Sequence, residues 1–219
     1  MTLHTRIASF AADLWGSLGD YVGVGRPQRR AAIVDRASLQ AFLESRASFV
    51  AQTSLYGYLR TRAGMRYPEL FDDDRFVLSI NIAKWHVWLA CLSDLAIYTG
   101  GLIARRSRAP AADVGRLING CVEEILGRTG VPADAGEEFA SHAGRVRARI
   151  ALCDWTVVQD DDTPFAESPM TLVRRAPIVD DLKRLDEAIV LNSVRFRWQE
   201  VRRHLRRDLD AERVLADVP

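Results

Sequence analysis

The sequence predicts an all-α protein, an irregular bundle of about six long helices around a central apolar helix near residues 76–104. Three observations carry that expectation. Apolar residues recur at helical steps along most of the chain, no segment alternates apolar and polar residues or gathers β-branched ones as a strand does, and Gly and Pro fall between the periodic stretches. No repeat and no low-complexity tract is visible.

The first helix is expected over residues 3–22, where Leu3, Ile7, Phe10, Leu14, Leu18 and Tyr21 form an amphipathic stripe. Gly23, Gly25 and Pro27 end it, and Arg26, Arg29 and Arg30 make the connection basic, so residues 1–37 read as an appendage to one helical domain spanning the chain. A second helix is expected to start at Ser38 as N-cap and stop at Gly64. The run Asp72-Asp73-Asp74 suits the positive end of the third helix, which extends to about residue 104 and closes on Arg105 and Arg106.

Pro110 opens a fourth helix, with Val114, Leu117, Ile118, Cys121, Ile125 and Leu126 as its buried stripe. A fifth is expected over about 135–158. Residues 159–177, with three prolines and Asp160-Asp161-Asp162, read as a long polar connection or lid. The last helix, about 178–209, carries Ile178, Leu182, Leu185, Ile189, Phe196, Val201, Leu205 and Leu209 as its apolar stripe, interrupted by Asn192.

Composition bounds the function classes. The chain has 219 residues, 48% of them hydrophobic, enough for a sizeable core, and a formal net charge of +1 provides no global field for nucleic acid. Three cysteines, Cys91, Cys121 and Cys153, lie far apart in apolar stretches and read as free thiols of a reducing cytoplasm. The N-terminus lacks the pattern of a secretory signal, since Asp13 and Asp20 interrupt it. The apolar stretch 76–103 is broken by Lys84, His86 and Asp94, which argues for a buried core helix over a membrane span.

Chemistry-bearing positions are few. Lys84 and Lys183 are the only lysines among 30 basic residues. Lys84 precedes Trp88 by one helical turn, a spacing that allows a cation–π contact. His86 shares a side with Ser79 and Ser93 and reads as a hydrogen-bonded histidine in a close helix contact. If the protein is an enzyme, Lys84, His86 and Asp94 are the candidate catalytic residues, since all three sit on the central helix. No GxSxG elbow, paired cysteines or His-Glu-x-x-His is present, and no metal or cofactor is expected; Glu138 and His142, four apart, are too few for a metal. The last helix concentrates Arg195, Arg202, Arg203, Arg206 and Arg207, a candidate surface for anionic groups.

The reading these features support is a helical binding or scaffolding protein, acting on a partner protein or peripherally at the cytoplasmic face of the inner membrane. Self-association is compatible with it. Nucleic acid is disfavoured, because no helix-turn-helix or aromatic platform accompanies the arginines. The alternative is a small helical hydrolase or lyase with a pocket around the central helix.

Overall fold

A computed structural model describes residues 32–217. The expected first helix and its basic connection lie outside the described residues. Among the described residues seven α-helices follow one another and no strand occurs. They are α1 (Arg36–Ala63), α2 (Asp74–Arg106), α3 (Ala111–Thr129), α4 (Phe139–Ala151), α5 (Glu167–Arg175), α6 (Asp180–Asp208) and the short α7 (Ala211–Ala216). The fold class is the all-α bundle that the apolar periodicity predicts.

Helix ends follow local chemistry. Asp35 caps α1, its carboxylate accepting the Ser38 N–H at 2.7 Å while Ser38 Oγ accepts the Asp35 N–H at 3.2 Å. The cap is therefore three residues earlier than expected, and Ser38 supplies the reciprocal half of a capping box. Gly64, at φ 55°, ends α1 in a conformation that side chains with a Cβ resist. Asp73 caps α2 by accepting from Arg75 N and Phe76 N, as the acidic run suggests.

The central helix α2 packs against α1, α3, α4 and α5 and is buried almost continuously from Ala83 to Ile103. Its length and hydropathy would suit a membrane span, but nearly all of its apolar window lies inside the fold. Trp88 is 5% exposed. At Gly100 and Gly101 a Cβ would collide with Trp155 and Val158, so α2 accepts those side chains against bare backbone.

That contact explains why α4 is shorter than expected. Its helix ends at Ala151, and Asp154 takes the Thr156 N–H at 3.0 Å, turning the chain so that Trp155 and Val158 reach the glycines. The expected connection 159–177 likewise contains a helix. In α5, Ser168, Pro169 and Leu172 are buried, with Phe165 and Ala176 beside them, and Pro169 sits in the first turn, where no N–H is needed.

Helix α6 lies over α5 and α1. Its end is tied to the start of the described chain: Ile33 N–H donates to Asp208 O at 2.8 Å, and Asp210 N–H donates to Ile33 O at 3.0 Å. Ile33 is itself buried in the core.

Candidate functional site

The three central-helix candidates turn to three different partners. Lys84 pairs with Asp134 at 3.6 Å and stands over the Trp85 ring at 5.0 Å, whereas Trp88 donates to Ser48 Oγ at 3.1 Å. The expected Lys84–Trp88 contact is thus replaced by one with Trp85. Asp134 is the cause, because it also accepts the Trp85 indole N–H at 2.7 Å and draws the ammonium across that ring.

His86 meets His142, the rings stacked at 5.1 Å and their Nδ1 atoms 2.8 Å apart. With both rings neutral, one carries its proton on Nδ1 and donates to the other, which carries its own on Nε2. Burial and, for His142, the nearby His86 favour the neutral forms, and the His142 pKa falls to about 4. Glu138 turns instead to Arg175. Among the described residues no three His, Cys, Asp or Glu side chains gather as metal ligands would.

Asp94 is wholly buried, and burial pushes its carboxyl up to about 6 against the pull of Arg149. It accepts from Arg149 at 2.7 Å and from the Ser168 N–H at 2.8 Å, anchoring the N-terminus of α5. These partners make it a structural joint between α2, α4 and α5.

Most of the arginine cluster is bound internally. Arg206 reaches Asp160 through two nitrogens, at 2.5 and 2.9 Å; Arg202 donates to the Asp160 carbonyl at 3.3 Å and covers the Tyr98 ring; Arg207 pairs with Asp208 at 2.6 Å. Burial opposes the charge of Asp160, but the hydrogen bonds from Arg206 and Tyr98 outweigh it and hold the carboxyl low. Arg195 and Arg203 are exposed and have no such partner among the described residues.

The outward face of α6 carries the unexpected feature. Its inward stripe is Val190, Val194, Trp198, Val201 and Leu205, while Leu185, Ile189 and Phe196, expected on the core side, are 75%, 71% and 72% exposed. At about 100° per residue they lie on one side of the helix with Asn192 and Arg203. Beside Ile189 a groove of about 410 Å³ opens between α1 and α6, lined by Ser54, Tyr58, Arg62, Asp186, Ser193 and Arg197 among others. Asp186 accepts from Arg62 and, at 3.0 Å, from Tyr58 Oη. Burial and that bond raise the Tyr58 pKa to about 12, so the phenol stays a donor. Arg197 donates to Ser193 O at 3.0 Å and has no carboxylate partner among the described residues.

No family model, curated protein or solved structure matches the chain.

Proposed function

We propose that this chain is a binding protein that works through the outward face of α6 on a protein partner. The reading rests on one observation: three large apolar side chains, each more than 70% exposed, share one side of a helix whose other side is buried. Scattered exposed apolar residues are ordinary, but an aligned stripe beside a groove is the usual form of an interface centre. Arg195 and Arg203, unpaired among the described residues, flank it, placed to steer association and to pair at the rim.

A protein partner is favoured over an anionic membrane, because Arg202, Arg206 and Arg207 are held by groups of this chain and only two arginines of the cluster remain for headgroups. The hydrolase or lyase reading has less support, since Lys84, His86 and Asp94 serve three separate contacts. Three free thiols, two of them buried, fit a reducing compartment such as the cytoplasm.

The test compares wild type with Ile189→Asp/Phe196→Asp in capture from the native cell with membranes retained. Proteins held by wild type should be lost by the variant at unchanged helicity. An identical set with both chains would overturn the reading. Capture of anionic vesicles without any protein would move the site to the membrane.

A further inference from the structure

We propose that the partner seated on this face is a second copy of the chain, packed antiparallel across α6 about a two-fold axis at Asn192. The inference rests on the reading of α6 as a binding face and names its occupant.

The spacing comes first. Leu182, Leu185, Ile189, Asn192, Phe196 and Gln199 follow one another at alternating steps of three and four residues, the seam of a two-helix coil. A polar amide in the middle of an apolar seam costs affinity for a lipid or for an apolar surface. Against its own symmetry mate the same amide is satisfied, because each Asn192 supplies one donor and one acceptor to the other.

Charge selects the orientation. In an antiparallel pair centred on Asn192, residues equally far before and after it face one another across the two copies. Asp181 then meets Arg203, and symmetry makes this pair twice, once at each end of the seam. Among the described residues Asp181 is otherwise held only by its exposed neighbour Arg184, and Arg203 has no ion-pair partner. A parallel pair would set Arg203 against Arg203 and Asp181 against Asp181, which repel.

Shape agrees with the same register. Phe196, four residues after Asn192, comes opposite Ala188 of the other copy and so beside its neighbour Ile189, which forms the lip of the α1–α6 groove. The groove lies on the side of α6 that bears Ser193 and Arg197, toward which Phe196 also leans on the helical wheel. About 410 Å³ is ample for one phenyl ring, and Arg62 and Arg197 are among the lining residues, where an aromatic face is a favourable neighbour of a guanidinium. The chain thus carries both the knob and the hole. One helix pair is a small interface, so the dimer should dissociate in the micromolar range.

Sedimentation equilibrium of the full chain from roughly 1 to 200 μM tests the proposal. Wild type should pass from monomer to dimer, and Phe196→Asp should remain monomeric with an unchanged circular dichroism spectrum. Asp181→Arg and Arg203→Asp should each weaken the dimer about tenfold, while the double exchange Asp181→Arg/Arg203→Asp restores it. Asn192→Cys should give a disulfide-linked dimer on mild oxidation. A wild-type chain that stays monomeric throughout, or a dimer indifferent to Phe196→Asp, would sink the proposal. A monomer whose cellular partners are still lost by Ile189→Asp/Phe196→Asp would overturn the second copy and leave the binding face standing.

Discussion

At the scale of the residue, the buried carboxyl of Asp94 and the buried ring of His142 pull stability in opposite directions over one pH window. Asp94 titrates near 6 in the fold against a usual 3.8, with burial the main cause and Arg149 opposing it. Folding therefore takes up a proton between about pH 4 and 6, and this group's contribution falls as pH rises through that range. His142 titrates near 4 against a usual 6.5, through burial and then the charge of His86. Folding there releases a proton, so its contribution is lost as pH falls from 6.5 towards 4. Each amounts to about 3 kcal/mol at full effect. Asp94→Asn should steepen the loss of stability on acidification across this window, and His142→Phe should flatten it, as urea midpoints at pH 4, 5, 6 and 7 would show. Asp186, held low first by its Arg62 hydrogen bond, acts below the window and leaves the comparison intact. Gly100 supplies a second residue-scale prediction. Alanine is the better helix former by about 1 kcal/mol. Its methyl group would nonetheless meet the Trp155 ring, so Gly100→Ala should lower stability by about 1–3 kcal/mol in denaturant titration.

At the scale of the element, α6 has two apolar stripes with opposite fates. Trp198 is fully buried, lies tilted against Phe165 with ring centroids 4.6 Å apart and donates its indole N–H to Ser168 Oγ at 2.9 Å. Phe196, two residues earlier, faces outward. Trp198→Ala should cost about 3–5 kcal/mol, whereas Phe196→Ser should stay within about 0.5 kcal/mol in dilute protein. Equal losses from the two variants would refute the inward and outward assignment. The element boundaries were partly legible. The cap before α1, the glycine after it and the acidic start of α2 are local signals, and the helices begin or end within a few residues of them. The early end of α4 was not legible, because its cause is a pair of glycines some fifty residues away on α2 that leave room for Trp155 and Val158. Helix α5 was hidden behind prolines, since Pro169 signals a break in an interior turn and is harmless in a first one.

At the scale of the whole molecule, the arginine run divides into a structural part and a free part. Arg206 holds Asp160, which also accepts Tyr98 Oη at 2.6 Å, so loop, central helix and α6 meet at one carboxylate. Arg206→Glu should cost about 1–2 kcal/mol by setting two acids together, the sum reduced because both side chains are partly exposed. Arg203→Glu should change stability by less than about 0.5 kcal/mol and instead slow association with a partner in a salt-dependent way. Thermal melts and association rates at two ionic strengths separate the two. Periodicity and capping are written within a turn or two of the residues concerned, so the helical class, the central position of α2, the glycine end of α1 and the acidic start of α2 could be read from the chain alone. Tertiary structure alone decided which stripe of α6 is covered and which charges are spent. A helix with apolar residues on two sides carries no mark of the side that α1 and α5 will bury. Nor do Lys84, Asp94 and Arg206 carry any sign of Asp134, Arg149 and Asp160, partners some fifty residues distant that only packing brings within reach.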